Sequence, residues 1–287
     1  MKIIRSPRAM MAWSHEVRRQ GVTIGFVPTM GALHDGHRSL IRAARLRCDA
    51  LVVSIFVNHT QFGPREDLAR YPRSLERDHA LCRAEGADVS FEPTANAMYP
   101  EGFQTTVSLS AIARRWEGEA RPHHFCGVAT VVVKLFSIVR PHVALFGEKD
   151  FQQSALVRQL VADLNLGVEI IVHPTVRERD GLAMSSRNVY LSPRERIVAT
   201  MLYKSLRAGA AAIRSGVTDA AAVQATMAEV VRREATLTID YLAVCDPRTL
   251  EPLPSVVSGA VLLGAVRLGS VRLIDNLTVT ARPRRTR

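Results

Sequence analysis

Short runs rich in Val and Ile alternate with amphipathic segments through residues 1–175. This alternation restricts the fold to the α/β class, in which a parallel sheet carries helices on both of its faces. Strands are expected at Thr23–Val27, Leu51–Val57, Asp88–Phe91, Val143–Phe146 and Glu169–Val172. Helices are expected between them at Gly36–Arg47, Ser74–Glu85, Val128–Val139 and Phe151–Leu164.

The pattern changes after residue 175. Ser192 is a favourable helix N-cap and Pro193 suits the first helical position, so a long helix is expected to run from there to Ser215. A second helix should follow from Asp219, and strand-like runs come next at Ile239–Val244, Ala260–Val266 and Val271–Ile274. We therefore expect a Rossmann-like domain over residues 1–175 and a smaller α+β domain over residues 176–287.

Composition is that of a globular protein, with 47% hydrophobic and 23% charged residues among 287. The longest apolar stretch, Val128–Val139, contains Lys134 and is shorter than the roughly 20 residues that a membrane span requires. The start of the chain has no signal-peptide pattern, which predicts a cytoplasmic protein. The cysteines are scattered without a C-x-x-C pair, so we expect buried thiols rather than disulfides or a zinc site.

The chain is basic, with a formal net charge of +11. Four of its arginines lie in the last six residues, so part of the charge belongs to a short tail. A basic surface can attract nucleic acid or a polyphosphate substrate. Aromatic residues make up only 6% of the chain and do not alternate with the arginines, which argues against a nucleic-acid partner.

Two histidines, His34 and His37, follow the first predicted strand and are separated by Asp-Gly at the start of a helix. Ligands of open α/β sheets bind at the carboxyl ends of the strands, where this segment lies. Gly31 and Gly36 permit close backbone approach to a phosphate, and imidazole N–H groups can donate to its oxygens. The segment therefore favours a nucleotide site over the alternative of two surface histidines at a turn. The dinucleotide pattern G-x-G-x-x-G is absent.

The histidine segment resembles the HIGH signature of the nucleotidyltransferase superfamily, and Met184-Ser185-Ser186-Arg187 matches the KMSKS-type signature of that superfamily. Further segments narrow the resemblance to one family. They are Pro28–Gly31, Ser54–Asn58 with Gln61-Phe62, Tyr71–Arg73, Arg121-Pro122 with His124-Phe125, Phe146–Gln153 and Asp180–Asn188. In this order they resemble the pantothenate synthetase (pantoate–β-alanine ligase) family.

The resemblance implies a two-step reaction with ATP as a substrate. The carboxylate of (R)-pantoate attacks the α-phosphate of ATP, which gives pantoyl-adenylate and pyrophosphate. The amine of β-alanine then attacks the activated carbonyl and releases AMP. No protein nucleophile is needed, so catalysis depends on positioning and charge stabilisation. The resemblance also implies Mg²⁺, a homodimer, and closure of the loop at 184–187 over ATP.

The resemblance assigns the site residues as follows. The catalytic residues are His37 (the proton donor of the family), His34, Lys149 and Arg187. The ATP-binding residues are Met30, Gly31, Ala32, Leu33, His34, Asp35, Gly36, His37, Gly147, Glu148, Lys149, Asp150, Val176, Met184, Ser185, Ser186 and Arg187. Gln61 and Gln153 match the pantoate-binding residues, and Gln61 also matches the β-alanine site. Asp78 aligns with an acidic position near the pyrophosphate and magnesium, although we expect ATP to bring most of the magnesium coordination.

Three positions depart from the family pattern. Asn58-His59 stands where Asn-Pro is usual, His123 replaces a glycine, and Arg77 replaces an uncharged or acidic residue. These changes concern loop geometry and remove no phosphate-contacting group. Two alternatives stay open at this point: a nucleotidyltransferase of the same superfamily with another small substrate, and a nonenzymatic nucleic-acid-binding descendant of a synthetase.

Overall fold

The computed structural model describes residues 1–64 and 66–280. The chain forms two compact units, the first made of Met1–Glu148 with Gln152–Val176, the second of Lys149–Phe151 with the chain from Arg177 on. The domain boundary predicted between residues 175 and 176 left Lys149–Phe151 in the first domain. In the structure, these residues group with the second unit. The arginine-rich tail lies outside the described residues.

The first unit is a six-stranded sheet in which every pair of neighbouring strands is parallel, in the order β1-β4-β3-β2-β5-β6. Its strands are β1 Lys2–Ile4, β2 Ile24–Thr29, β3 Ala50–Ile55, β4 Val89–Phe91, β5 Val143–Gly147 and β6 Glu169–His173. Its helices are α1 Pro7–Arg19, α2 Asp35–Arg45, α3 Leu75–Ala84, α4 Ala95–Met98, α5 Glu117–Ala120, α6 His124–Val139 and α7 Phe151–Asp163. The predicted α/β class is confirmed.

Two apolar clusters pack against the sheet of the first unit. Successive residues of β2 belong to different clusters: Phe26 packs with Phe91 and Leu156, whereas Val27 packs with Ile41 and Leu145. All of these side chains are almost fully buried. Since burial of one such side chain is worth about 1.5–3 kcal/mol, the clusters fix the sheet whose carboxyl ends carry the predicted site.

The second unit has a three-stranded antiparallel sheet in the order β7-β8-β9. Its elements are α8 Pro193–Val198, α9 Thr200–Arg214, α10 Ala220–Arg232, β7 Leu237–Cys245, β8 Gly259–Leu268 and β9 Val271–Thr280. Ser192 caps α8 as predicted, in a reciprocal pair with Glu195. The predicted single helix is two segments, because the chain turns at Ala199 and the Thr200 hydroxyl donates to the Ile197 carbonyl at 2.8 Å.

The cysteines of the structure are free thiols, with Cys82 and Cys245 buried and Cys48 and Cys126 half-buried. Burial raises the pKa of Cys82 to about 12, so this thiol stays protonated and unreactive at neutral pH. The expectation of buried thiols is met at Cys82 and Cys245, and in part at Cys48 and Cys126. Among the described residues, no helix is long and apolar enough to cross a membrane.

Candidate active site

Helix α2 begins in a reciprocal cap formed by two histidines. The Gly36 N–H donates to Nδ1 of His34 at 3.1 Å, and the His34 N–H donates to Nδ1 of His37 at 3.3 Å. The two rings lie 4.2 Å apart between centroids. A nitrogen that accepts an amide hydrogen bond carries no proton, so each neutral ring carries its proton on Nε2. Both imidazoles can therefore donate from Nε2, as phosphate binding requires.

The turn between β2 and α2 is conformationally strained. Gly31 has φ +85° and Ala32 has φ +50°, in the left-handed region that residues with a side chain rarely adopt. The Gly31 N–H donates to the Thr29 hydroxyl at 3.2 Å, and that hydroxyl donates to the Ser54 carbonyl at 2.7 Å. The Thr29 side chain thereby ties the turn to the neighbouring strand β3.

Asp78, near the start of α3, binds the remaining backbone amides of this turn. Its two carboxylate oxygens accept from the Ala32 N–H at 2.9 Å and from the Leu33 N–H at 2.8 Å. The residue is 1% exposed. A Cβ on Gly31 would lie 3.0 Å from Oδ2 of Asp78 and from Ile55, so the turn and the carboxylate approach each other closely.

Asp78, which the resemblance placed near magnesium, is engaged by the backbone of the turn. Both of its oxygens are used by backbone amides, and burial raises its pKa, although those amide bonds oppose the rise. Residues 1–64 and 66–280 contain no group of three or more His, Cys, Asp or Glu side chains that could hold a metal ion. Among the described residues, the protein therefore has no preformed cluster of three or more such ligands for a metal ion.

Gln61 lies in a 3₁₀ turn, His59–Gln61, that follows β3. Its side-chain oxygen accepts from Nδ2 of Asn58 at 3.1 Å, and its nitrogen contacts the sulfur of Met30 at 3.3 Å. Asn58 is itself buried, donates to the Gly127 carbonyl at 3.1 Å and accepts from the Tyr99 hydroxyl at 2.8 Å. The structure thus brings a predicted pantoate-binding residue against a predicted ATP-binding residue.

Two further residues hold the backbone of Gln61. Its carbonyl accepts from the guanidinium of Arg121 at 3.3 Å and lies 3.0 Å from Nδ1 of His124. Burial, together with the charge of Arg121, lowers the pKa of His124 to about 4, so the ring is neutral at pH 7 and donates from Nδ1. Arg121 in turn forms a bidentate pair with Glu66, at 2.7 and 2.6 Å.

Gly127 explains how helix α6 reaches this turn. A Cβ at this position would lie 2.5 Å from the Thr60 carbonyl oxygen and 2.6 Å from the Gln61 nitrogen, which is closer than real atoms pack. Only glycine permits α6 to lie directly on the backbone of the turn.

Of the departures from the family pattern, His59 packs edge-on against Tyr99, with 5.2 Å between ring centroids.

Helix α7 contains two adjacent glutamines, of which the resemblance assigned Gln153 to pantoate. The structure gives the buried position to Gln152, whose amide nitrogen donates to the Ile112 and Arg115 carbonyls at 2.8 Å each. Its oxygen accepts from the Glu117 N–H at 3.1 Å. Gln152 thus anchors the segment before α5, while Gln153 is half-buried.

In the second unit, Lys149 is joined to the strand β9. Its carbonyl accepts from Nδ2 of Asn276 at 2.9 Å, and its Nζ lies 3.7 Å from Oδ1 of Asp150. Asp275, which precedes Asn276 in the chain, is buried and pairs with Arg177 through bonds of 2.6 and 2.9 Å. Sequence reasoning missed these supports, since no local pattern links residues so far apart in the chain.

The Met184–Arg187 segment is closed by a side chain at its end. Asn188 donates from Nδ2 to the Ala183 carbonyl at 3.2 Å and to Oε1 of Glu178 at 3.1 Å. Within the segment, the Ser185 hydroxyl accepts from the Arg187 N–H at 3.3 Å. Asn188 thereby connects the two ends of the segment that resembles the KMSKS signature.

The predicted site residues are divided between the two units. The first unit holds Met30–His37, Gln61, Asp78, Gly147, Glu148, Gln153 and Val176. The second holds Lys149, Asp150, Met184, Ser185, Ser186 and Arg187.

A family model described as pantoate-beta-alanine ligase matches residues 2–278. The chain belongs to the pantoate–beta-alanine ligase family. Two relatives named pantothenate synthetase are similar over nearly all of both chains. The protein of Desulfatibacillum aliphaticivorans is 52% identical over 96% of this chain and 98% of its own. That of Heliobacterium modesticaldum is 50% identical over 97% and 99%.

Solved structures of the ligase family have the same fold. Pantothenate synthetase from Thermus thermophilus aligns with a TM-score of 0.91 at 46% identity, over 96% of this chain and 99% of that one. Pantoate-beta-alanine ligase from Francisella tularensis, complexed with beta-gamma ATP and beta-alanine, aligns with a TM-score of 0.80 at 34% identity, over 96% and 97%. The resemblance found in the sequence is confirmed, and the interpretation as a ligase replaces the two alternatives left open.

Proposed function

We propose that this chain condenses (R)-pantoate with β-alanine to form pantothenate, at the expense of ATP, which leaves as AMP and pyrophosphate. The observation that carries the proposal is the contact between Gln61 and Met30. It joins a side chain suited to pantoate with the start of the histidine turn, which is suited to ATP. An amide offers both donors and acceptors, as a substrate with two hydroxyls and a carboxylate requires.

In the first step, a carboxylate oxygen of pantoate forms a bond to the α-phosphorus of ATP. The bond from that phosphorus to the oxygen bridging to the β-phosphate breaks, and pyrophosphate leaves with the electron pair. His34 and His37 donate from Nε2 to phosphate oxygens, because their Nδ1 atoms are held by backbone amides. The backbone adds little at this turn, since the Gly31, Ala32 and Leu33 N–H groups have acceptors inside the protein.

Lys149 and Arg187 are assigned to the charge that develops on the transferring phosphate. Lys149 supplies a point charge, and Arg187 supplies a planar set of donors that suits phosphate oxygens. Ser185 and Ser186 add hydroxyl donors from the same segment as Arg187. Such groups accelerate the reaction by stabilising charge in the transition state, and none of them forms a covalent bond.

In the second step, the neutral amine of β-alanine attacks the acyl carbon of pantoyl-adenylate. The acyl carbon–oxygen bond breaks, AMP leaves with that oxygen, and the amine loses its proton to solvent. Gln61 is assigned to both organic substrates and Gln153 to pantoate. Glycines 31, 36 and 147, together with Val176, are assigned to the nucleotide.

Three further expectations belong to the proposal. Magnesium enters bound to the phosphates of ATP, since this ion usually keeps several waters and shares substrate phosphates. The enzyme acts in the cytoplasm and forms a homodimer.

The test is an omission experiment with the purified protein, ATP, magnesium, pantoate and β-alanine. We expect AMP and pantothenate in equal amounts only when both organic substrates are present. AMP formed without pantoate, or with an unrelated acid in its place, would contradict the proposal.

A further inference from the structure

The carboxylate of Asp78 and the turn at residues 31–33 form a closed hydrogen-bonded unit within the first domain. Three successive amides of the turn have acceptors in side chains: Thr29 for Gly31, and Asp78 for Ala32 and Leu33. The bonds to Asp78 span 46 and 45 residues of sequence, so α3 and the turn are joined by long-range contacts.

The turn needs such support because its backbone is in an unfavourable conformation. Ala32 has φ +50°, and a residue with a Cβ holds such a conformation only when its surroundings fix it. Asp78 accepts from the N–H of Ala32 itself and of the next residue, so it bonds the strained peptide on both sides. Strained backbone held in this way is a common feature of binding sites.

Asp78 is in turn held in place by its own helix. Its N–H donates to the Ser74 carbonyl at 2.9 Å, in the first turn of α3. The next residue, His79, contacts Glu92, which also accepts from Ser90 at 2.6 Å and from Arg5 at 3.4 Å. Glu92, itself held by Ser90 and Arg5, therefore fixes the helix from which the Asp78 carboxylate projects.

We propose that Asp78 is a positioning residue, which sets the direction of Met30 and His34 by holding the amides of Ala32 and Leu33. It acts through the turn and not through magnesium. Met30 precedes the turn and contacts Gln61, while His34 follows it and caps α2. A change in the turn therefore alters the residues assigned to both ATP and pantoate. This inference rests on the proposed function for its kinetic consequences, but its structural part stands alone.

The structural part is tested by amide hydrogen exchange at Ala32 and Leu33 in the free protein. Asp78→Ala is expected to accelerate exchange at both amides by at least about tenfold, the factor that corresponds to an ordinary hydrogen bond. Asp78→Asn should give an intermediate effect, because one amide oxygen can accept from two N–H groups. A single side-chain oxygen can satisfy two neighbouring amides in this way: Oδ1 of the Asp246 carboxylate accepts from the Arg248 and Thr249 N–H groups, at 2.8 Å each. Unchanged exchange in Asp78→Ala would overturn the proposal.

The kinetic part compares kcat and KM across the same variants. Asp78→Ala is expected to lower kcat/KM for ATP by about 10²-fold, the cost of misplacing reacting groups by about 1 Å. Asp78→Asn should recover part of that loss, and the magnesium concentration for half-maximal activity should stay the same in both variants. A shift of that concentration would make Asp78 a metal ligand and overturn the proposal, as would full activity in spite of faster exchange.

The matched control is Asp88→Asn. Asp88 also accepts a backbone amide, that of Leu51 at 2.7 Å, but at the amino ends of the strands. The Asp88→Asn substitution should leave amide exchange at Ala32 and the ATP kinetics unchanged. If the parent protein forms no pantothenate, the proposed function fails, and the Asp78 proposal is then decided by exchange together with the dissociation constant for ATP. Should Asp78→Ala not fold, Asp78→Asn carries the same comparisons.

Discussion

The side-chain nitrogen of Gln61 lies 3.3 Å from the sulfur of Met30. Met30 follows β2 and Gln61 follows β3, and these strands are parallel neighbours, so their carboxyl ends meet at one edge of the sheet. This is the place where open α/β sheets bind ligands. The contact therefore connects the residue assigned to the acid substrate with the residues assigned to the nucleotide.

Gln61→Ala is expected to raise KM for pantoate and to leave ATP binding near normal. The substitution removes the side-chain amide of residue 61. It keeps the backbone carbonyl that Arg121 and His124 contact, so the backbone of the turn stays in place. Steady-state kinetics with each substrate varied in turn measure the effect. Gln20→Ala is the control, since Gln20 is exposed and its side chain donates to nearby Glu16. A selective loss of ATP affinity would show that Gln61 is wrongly assigned.

Lys149→Ala is expected to slow adenylate formation by about 10²–10³, the scale of losing one charge-stabilising donor in an active site. Pyrophosphate release in a single turnover with ATP and pantoate measures this step. Lys204→Ala provides an exposed lysine of the second unit as control. Loss of one such donor slows a reaction far more than about threefold. A rate within that range of the parent rate would therefore remove Lys149 from its catalytic role.

Asn188→Asp should weaken ATP binding. The aspartate has the same shape but cannot donate to the Ala183 carbonyl, and it places a negative charge beside Glu178. Loss of such bonds costs about 1–3 kcal/mol, so KM for ATP should rise about fivefold to 150-fold. Asn96→Asp, at an exposed position of α4, tests whether the added charge alone matters. Equal ATP kinetics in the two variants would contradict the closing role of Asn188.

The stability of the protein should fall between about pH 6.5, the ordinary pKa of histidine, and pH 4 because of His124. Burial lowers its pKa to about 4 in the folded state, so the unfolded chain binds more protons in this range and the free energy of unfolding decreases as pH falls. The full effect of this group is on the order of 3 kcal/mol.

His124→Gln removes the titration and keeps a donor for the Gln61 carbonyl. Urea unfolding at pH 7.5 and pH 5 should therefore show a smaller loss of stability in this variant than in the parent. His15→Gln, at an exposed position, should behave as the parent does. An equal pH dependence in all three proteins would show that His124 does not carry the effect.

Strands β2, β3 and β5 were predictable, because their apolar runs are almost wholly buried and gave a local signal. β1 was not predicted, since it has three residues and is defined by its pairing with β4, far along the chain. The same holds for side chains: His34 and His37 lie in a recognisable motif, whereas the bonds of Asp78 to the turn depend on the tertiary fold. The bonds of Gln152 to the Ile112 and Arg115 carbonyls likewise depend on the tertiary fold, so no local pattern predicts them.

The central claim is that pantoate is activated as an acyl-adenylate. Pantoate labelled with ¹⁸O in its carboxylate tests it directly, because one carboxylate oxygen forms the bond to the α-phosphorus and leaves with AMP. The proposal predicts one ¹⁸O atom in each AMP and none in pyrophosphate. Unlabelled AMP, with the label in pyrophosphate or inorganic phosphate, would contradict attack on the α-phosphate and with it the function proposed for this chain.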